Sequence, residues 1–362
     1  MRKPTHIESR KGKSMGPGSF RFLLASVVVV YHYSSLGIGH TPVYLFFLLS
    51  GFWVYMMWNR KYENSRDPYL TFVLSRIWRL APVFILCSTI AVAGVIVLPQ
   101  FIAPVNAFSE LTAHAFVSSF ILLGYNTAAG APLVPAWSLD VELQFYLIAP
   151  WLIVLLRRRP LMACAACVMA CVVSIAVFRG GASPSYLPWF VVGMLAAQYP
   201  SLWGRRWLAA SSACATLIVI LAFWLIPVLR HALLGGAHPD ATYIAYNPLL
   251  NIALALTALP FALQTVRTRG GAIDRFLSDA SYSLYLLHWL PIFFASHYFP
   301  QLATESEWIR RLVTGCMIGA TYIASLCVTA FIDRPLNQSR ARFITARRVE
   351  KMAAAGAWQA RP

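Results

Sequence analysis

Two ionisable residues in the first apolar stretch of the chain have types and spacing suited to chemistry. Arg21 and His32 are separated by ten residues within segment 20–38. In an α-helix, eleven steps make about three turns and a rise of roughly 16 Å, so both side chains share one face. Ionisable groups inside a membrane-spanning segment are costly and are commonly functional. The pair is therefore expected to hold an anionic group at the membrane edge and to move a proton deeper inside.

A second basic pair lies in the sequence SRIWRLAP, where Arg76 and Arg79 are three residues apart. Side chains at this spacing face the same way on a helix. Alone, two arginines before an apolar run are more typical of a topology signal. Together with Arg21, they predict a phosphate clamp, because the planar guanidinium group makes bidentate bonds to phosphate oxygens.

A carboxylate and a second histidine are expected at similar depths. Glu142 lies five residues after Trp137, roughly 7 Å below the outer surface by helix rise, and it needs a partner there. Asp140 is shallower and is expected only to face water. His288 lies roughly 15–18 Å from the cytoplasmic side, which matches His32. These depths favour a reaction chamber, although a hydrogen-bonded structural histidine is the alternative for each ring.

The elements that position these residues are predicted from composition. The chain of 362 residues is 59% hydrophobic and only 12% charged, whereas soluble domains carry about 25% charged residues. This composition predicts an all-α polytopic membrane protein. Ten apolar runs are near the ~20 residues that a spanning helix needs. They are 20–38, 42–58, 80–98, 137–156, 161–178, 185–200, 207–226, 244–264, 278–298 and 308–331.

The distribution of basic residues predicts that both termini are cytoplasmic. The net charge is +17, and with this orientation all but four of the 30 Lys and Arg residues lie in cytoplasmic segments, as the positive-inside rule requires. The four exceptions are Arg179, Arg230, Arg310 and Arg311. This pattern argues against nucleic acid as a partner. Segment 111–125 is predicted to be re-entrant or interfacial, because a further span there would break the separation of charge.

The sequence predicts one folded domain with two basic tails. Residues 1–19 form a cytoplasmic N-terminal tail, residues 20–335 the transmembrane domain, and residues 336–362 a tail expected to lie along the anionic leaflet. The basic head and the apolar run after it resemble a signal peptide, but Arg21 and His32 predict an uncleaved helix. The seven cysteines all lie in predicted spans and are expected to be apolar filler, with no disulfide framework and no metal site.

The chain resembles the acyltransferase-3 family of bacterial integral-membrane O-acyltransferases, in the form without a C-terminal hydrolase-like domain. Six elements carry the resemblance in family order: the Arg21 and His32 pair, Leu45-FFLLSGF, Arg76-IWR, Trp137-SLDVELQFYLIAP, Ser281-YSLYLLH and Ile332-DRP. Each element alone is weak, and six in order are specific. Phe22 and Pro42 stand where small residues are expected, and Asp333 replaces the more usual Glu.

The resemblance implies transfer of an acyl group, most often acetyl, from cytoplasmic acyl-coenzyme A to a hydroxyl of an envelope or exported glycan. The implied setting is a multi-pass protein of the bacterial inner membrane, with no permanently bound cofactor and a glycan acceptor that is lipid-linked. Arg21, Arg76 and Arg79 would bind the donor phosphates. His32 would be the base or a covalent carrier, and Glu142 would orient it or the acceptor. Candidates for oxyanion or acceptor contacts are Ser138, Ser281, Tyr285 and His288.

Two other functional classes stay open from the sequence. Intramembrane His, Glu and Arg residues also serve proton-coupled transport, so a transporter or flippase for a lipid-linked sugar is one alternative. No repeated half and no matching pair of broken helices is visible, although many transporters have them. A non-catalytic subunit of a polysaccharide synthesis complex is the other. The sequence names neither the acceptor hydroxyl nor the acyl group.

Overall fold

The described part of the chain is built from helices. The computed structural model describes residues 15–97, 111–178, 182–203, 206–236, 239–298, 302 and 304–359, and no strand occurs among them. The helices are α1 Pro17–His32, α2 His40–Met57, α3 Pro68–Val97, α4 Ala113–Ile121, α5 Trp137–Arg158, α6 Pro160–Phe178, α7 Leu187–Gln198, α8 Arg206–Leu225, α9 Pro227–Leu234, α10 Ala241–Thr265, α11 Ala272–Leu287, α12 Trp289–Tyr298, α13 Glu307–Val328 and α14 Arg334–Gln359. The predicted all-α class is confirmed.

Within these residues, seven helical segments are long and apolar enough to cross a membrane. They are His40–Tyr62, Pro68–Val97, Val134–Arg158, Pro160–Phe178, Trp207–Leu225, Ala241–Thr265 and Glu307–Met352. Large apolar side chains on them face outward: Leu161 is 85% exposed, Ile218 64% and Phe178 62%. Such surfaces need a lipid environment. The chain is therefore a multi-pass membrane protein, and the count of ten spans stays a prediction.

In two predicted segments, the helices have breaks or lengths that hydropathy alone does not predict. The expected span 278–298 consists of α11 and α12, with His288 at the break between them. Segment 111–125 contains only the nine-residue helix α4, which is too short to cross a bilayer. It begins where the Thr112 hydroxyl accepts from the Ala115 N–H at 3.0 Å and ends at Leu122, whose φ is +67°. The predicted re-entrant or interfacial placement agrees with this length.

The chain divides into two compact units, residues 1–49 with 198–285 and residues 50–197 with 286–362. In the first unit, Asp274 caps helix α1. Its carboxylate accepts from the backbone N–H of Gly18 at 3.1 Å and of Ser19 at 2.8 Å, which satisfies donors that a helix start leaves open. A Cβ on Gly18 would lie 1.8 Å from the Asp274 carbonyl oxygen, so only glycine fits there. Residues 1–14 of the predicted N-terminal tail lie outside the described residues.

Two buried asparagines of α10 fix the turn between α1 and α2, also in the first unit. The Gly37 carbonyl accepts from the side-chain amides of Asn247 at 2.5 Å and Asn251 at 2.9 Å. The Thr41 N–H donates to Asn251 Oδ1 at 2.9 Å. Buried polar groups cost free energy unless they are paired, and these pairs fix the turn that directly follows His32.

In the second unit, α3 packs against α4, α5, α12 and α14. Helix α13 continues through a π-helical turn, Thr329–Asp333, into α14, and α14 packs on α3. The rings of Trp78 and Phe343 lie 5.9 Å apart, and the Arg66 N–H donates to the Arg347 carbonyl at 2.9 Å. The predicted C-terminal tail is thus helical from residue 334 to residue 359 and is packed on the second unit.

Candidate functional site

In the first unit, Arg21 and Tyr285 both contact the ring of Phe46. The Arg21 guanidinium carbon is 5.7 Å from the centre of the Phe46 ring, and this ring is 6.0 Å from Tyr285 in an edge-to-face arrangement. Tyr285 is buried. Stacking on an aromatic face orients a guanidinium group and leaves its N–H donors directed outward. Two predicted site residues are therefore brought together by Phe46.

His32 is the last residue of α1 and is partly exposed. Its ring packs edge-to-face on Tyr31, with ring centres 4.6 Å apart. The predicted shared helix with Arg21 is therefore present, and His32 lies at its C-terminal end. His32 belongs to the first unit, whereas Glu142 and His288 belong to the second. The predicted reaction chamber of these three residues stays a prediction.

In the second unit, Glu142 has the partners that its depth required. Its Oε1 atom accepts from the Ser50 hydroxyl of α2 at 2.5 Å and from the Tyr146 hydroxyl one turn along α5. The Ser50 and Tyr146 oxygens are 3.1 Å apart. Both hydroxyl residues are buried. We call Ser50, Glu142 and Tyr146 the carboxylate triad.

Local packing explains the sequence Ser50-Gly51 on α2. A Cβ on Gly51 would lie 2.0 Å from the carbonyl oxygen of Phe190 on α7. Glycine therefore lets the two helices approach closely. Phe190 in turn stacks on Phe145 of α5, with ring centres 3.9 Å apart. This packing holds α2 where the neighbouring Ser50 reaches Glu142.

Arg76 lies among three aromatic rings of the second unit. Its guanidinium carbon is 5.2 Å from the ring centre of Phe72, 5.3 Å from that of Tyr146 and 5.7 Å from that of Tyr62. The Tyr62 hydroxyl is 2.9 Å from the Ser75 hydroxyl. Rings on several sides fix the guanidinium group and shield it from water. Tyr146 therefore contacts Arg76 through its ring and Glu142 through its hydroxyl.

Three arginines form a cationic cluster around this position. Arg340 of α14 interacts electrostatically with Arg79 and Arg76, and also with Tyr62 and Asp333. The expected shared face of Arg76 and Arg79 agrees with this arrangement. Arg340 had no predicted role because it lies in a basic tail at the far end of the chain. We call Arg76, Arg79 and Arg340 the arginine cluster.

The structure corrects the expectation for Asp140, which was expected to face water. Its side chain is fully buried. It accepts from the backbone N–H of Gly124 at 3.2 Å and of Asn126 at 2.9 Å, and from the Gln144 side chain at 2.8 Å. The carboxylate therefore fixes the loop before α5, because buried carboxylates require such donors. The sequence prediction used only the depth of Asp140 along α5, which does not show that the loop of Gly124 and Asn126 covers this residue.

The other predicted contacts have these positions. His288 is fully buried at the break between α11 and α12. Ser138 and Ser281 are buried, and their hydroxyls donate to the carbonyls of Pro135 at 3.1 Å and Ser278 at 2.8 Å. A hydroxyl has one hydrogen to donate, so each serine would have to rotate to serve an oxyanion. Their predicted roles stay predictions.

At the ends of two spans, an ion pair ties Glu63, which directly follows span His40–Tyr62, to Arg157 at the end of α5. Arg157 donates to the two Glu63 carboxylate oxygens at 2.7 and 3.1 Å and also to Asn59. Hydrogen bonding from Arg157 lowers the pKa of Glu63. This pair is about half exposed, with side chains 31% and 43% accessible, and it belongs to the predicted cytoplasmic edge.

Comparison with known proteins identifies the domain. A family model described as an acyltransferase domain, Acyl_transf_3, matches residues 17–330. The exopolysaccharide production protein ExoZ of Rhizobium meliloti (strain 1021) is 25% identical over 324 residues, which cover 85% of this chain and 93% of that protein. No solved structure matches the chain. Because the matched domain covers most of the sequence, the chain belongs to the acyltransferase-3 family. The match includes Arg21, His32, Arg76, Arg79, Glu142 and His288.

Proposed function

We propose that this protein is a membrane O-acyltransferase that moves an acetyl group from acyl-coenzyme A to a hydroxyl of an exported glycan. The observation that carries the proposal is the double role of Tyr146. Its ring contacts Arg76 of the arginine cluster, and its hydroxyl donates to Glu142. The arginines proposed to bind an anion and the carboxylate proposed to orient the acceptor are thus adjacent within one compact unit of a chain from an acyltransferase family.

The donor proposal follows from charge. Coenzyme A carries several phosphate charges, and guanidinium groups bind phosphate oxygens through charge-assisted, bidentate hydrogen bonds. The role predicted for Arg21, in the first unit, stays a prediction. Arg76 and Arg79 lie on α3 at the predicted cytoplasmic side. These residues would hold the phosphates, so that the thioester is placed by the length of the flexible pantetheine arm.

The chemical step needs a base and an acid. The acceptor oxygen attacks the thioester carbonyl, the C–S bond breaks, and the hydroxyl proton passes to His32 and then to the departing thiolate. In the variant with an acyl-His32 intermediate, the imidazole attacks the thioester carbonyl and expels the coenzyme A thiolate. The sugar hydroxyl then attacks the acyl-imidazole and releases His32, and the hydroxyl proton ends on the coenzyme A thiol. Glu142 would orient the acceptor, because Ser50 and Tyr146 fix one of its oxygens and leave the other for a further contact.

The acceptor proposal rests on the relative. ExoZ is named for exopolysaccharide production, so the acceptor of this chain is proposed to be a sugar hydroxyl of an exopolysaccharide repeat unit or a similar envelope glycan, carried on a lipid. A membrane enzyme suits such an acceptor, since the lipid keeps the glycan within reach of the helices.

The direct test is transfer by purified full-length protein in liposomes. Labelled acetyl-coenzyme A should release free coenzyme A only when a lipid-linked glycan acceptor is present, and the label should appear on the glycan. Movement of the glycan across the bilayer without label would identify a flippase instead. Absence of both activities would leave a non-catalytic subunit.

Sidedness and the base are tested in the same system. In sealed inside-out vesicles, external donor should be consumed and label should appear on luminal glycan. The His32→Ala variant should lose about 10²–10⁴-fold in turnover while it binds coenzyme A normally. His231→Ala is the matched control, because that exposed histidine pairs with Asp240 at 3.3 Å and lies at the surface. Normal turnover in His32→Ala would remove His32 from the reaction.

A further inference from the structure

Arg340 is the residue of the arginine cluster that comes from the C-terminal helix. Helix α14 packs on α3, where Phe343 and Trp78 are in ring contact at 5.9 Å. Arg340 lies one helical turn before Phe343 on this packed face. Its guanidinium group interacts with Arg79, Arg76 and Tyr62, and Tyr62 also stacks with Arg76. The two arginines, on different helices, therefore both interact with the same tyrosine.

The cluster contains buried donors that the protein itself does not satisfy. Among the described residues, the buried Nε atoms of Arg76 and Arg340 have no hydrogen-bond partner. Native proteins pair most buried polar groups, and an unpaired donor calls for a bound group or a functional cause. Three guanidinium charges in mutual range also repel one another. The nearby acidic group that interacts with Arg340 is Asp333, which already accepts from Asn337 at 2.9 Å.

We propose that Arg340 joins Arg76 and Arg79 in binding a phosphate or diphosphate group, so that the C-terminal helix forms one wall of an anion site. A phosphate supplies acceptor oxygens in several directions and negative charge for all three arginines. A bound phosphate would therefore accept from the buried Nε atoms and reduce the repulsion between the guanidinium groups. The phosphate belongs either to coenzyme A, which rests on the proposed function, or to the headgroup of an anionic lipid.

Contacts beyond Arg340 keep this wall in place. Arg347 pairs with Asp67 at 3.3 Å, and Glu350 pairs with Arg66 at 3.4 Å. Lys351 donates to the Glu63 carbonyl at 3.1 Å. These contacts join α14 to the loop between α2 and α3. The position of Arg340 is therefore fixed before a ligand arrives, which reduces the entropy that binding must overcome.

The experiment compares Arg340→Gln with Arg342→Gln in full-length protein. Arg342 is exposed on the same helix and serves as the control for charge. In nanodiscs of neutral phosphatidylcholine, Arg340→Gln should weaken coenzyme A binding by roughly 10- to 100-fold, the equivalent of one or two charge-assisted hydrogen bonds. Arg342→Gln should bind as the wild type does. Arg340→Lys should recover part of the affinity, because it restores charge without the planar fork.

Stability without ligand separates binding from structure. Removing one of three repelling charges should leave the melting temperature of unliganded Arg340→Gln equal to or above that of the wild type. A lower melting temperature for both Arg340→Gln and Arg340→Lys would assign the residue a structural role and overturn the proposal.

The two phosphate sources give different results. If the ligand is lipid, coenzyme A affinity is unchanged in Arg340→Gln, and the stabilisation that phosphatidylglycerol gives to wild-type protein is lost. If neither coenzyme A binding nor lipid stabilisation changes, Arg340 is no part of an anion site. Wild-type transfer activity is measured alongside, so loss of the site and loss of the proposed function remain distinguishable.

Discussion

The carboxylate triad and the arginine cluster lie next to each other in the second unit, and they differ in how their polar groups are satisfied. Glu142 has two hydroxyl donors on one oxygen, and Ser50 and Tyr146 contact each other. In contrast, Arg76 and Arg340 each retain a buried Nε atom without an acceptor among the described residues. Tyr146 is the residue common to both groups, through its hydroxyl on one side and its ring on the other.

This difference indicates that the carboxylate triad is hydrogen-bonded without a ligand, whereas the arginine cluster is suited to binding one. A satisfied network holds one geometry without help, which suits a carboxylate that must orient a reacting group. The arginine cluster is proposed to be completed by a bound anion, because Arg76 and Arg340 each have a buried Nε atom without an acceptor among the described residues. Variants of the triad should therefore change turnover, and variants of the cluster should change donor affinity.

The largest effect is expected for Glu142→Gln. The amide oxygen can still accept from Ser50 and Tyr146, so folding is preserved, but the carboxylate charge and basicity are lost. Turnover should fall by about 10²–10⁴-fold, while coenzyme A affinity stays within twofold. Transfer assays and equilibrium binding on the same preparation test this. Glu307→Gln is the control, because Glu307 is 69% exposed in a surface pair with Arg311. A large loss of donor affinity would show that the two groups are not separable.

Arg76→Ala should lower donor affinity and not turnover at saturating donor, in contrast to Glu142→Gln. It removes the charge held by Phe72, Tyr62 and Tyr146, so coenzyme A affinity should fall by roughly 10- to 100-fold. Arg76→Lys should recover it only in part, because an ammonium group lacks the bidentate fork. Saturating donor should restore most of the turnover. Arg60→Ala, an exposed change in the π-helical turn Trp58–Tyr62 that follows α2, controls for net charge. Unchanged affinity in both Arg76 variants would leave Arg76 as a topology signal.

Tyr146→Phe removes one oxygen atom and so distinguishes the role of Tyr146 in the carboxylate triad from its role beside the arginine cluster. The ring that Arg76 contacts is retained, and the hydroxyl that donates to Glu142 is removed. Loss of one hydrogen bond, about 0.5–1.5 kcal/mol, should lower kcat by up to about tenfold with unchanged donor affinity. Ser50→Ala should behave similarly, because it removes the other donor to the same oxygen. A change in affinity without a change in kcat would assign Tyr146 to the cluster alone.

Residue spacing predicted those features of the site that lie within a single helix. Arg76 and Arg79 are three apart, so their common face follows from helical geometry. The depth of Glu142 required a partner, and the structure supplies Ser50 and Tyr146. The identity of those partners did not follow, because Ser50 comes from another helix and its polarity alone is compatible with many helix–helix contacts in a membrane.

Contacts between distant parts of the chain were beyond the sequence pattern. Arg340 lies in a basic stretch whose charge density predicted a leaflet-bound tail, and its packing on α3 depends on Phe343 meeting Trp78. Asp140 was expected to face water, because depth along α5 says nothing about the loop of Gly124 and Asn126 that covers it. The break at His288 was not predicted, because both α11 and α12 are apolar enough to be counted as one continuous span.

The smallest effect is expected for Glu63→Gln, which tests an exposed ion pair against the buried groups. Glu63 and Arg157 are partly exposed, and such pairs contribute about 0.2–1 kcal/mol to the free energy of unfolding. The pKa of Glu63 is lowered in the folded protein by hydrogen bonding to Arg157. Its contribution is therefore present above the ordinary pKa of 4.5 and is lost as pH falls through the lower folded value.

Wild type should accordingly unfold at a slightly higher temperature than Glu63→Gln at neutral pH. The difference should shrink as the pH falls through the folded pKa and also with added salt, which screens exposed charges. Tryptophan fluorescence during thermal unfolding in a zwitterionic detergent measures both trends. Turnover and coenzyme A affinity should stay at wild-type values, because Glu63 belongs to neither buried group. A loss of either one would extend the functional site to the loop that anchors α14.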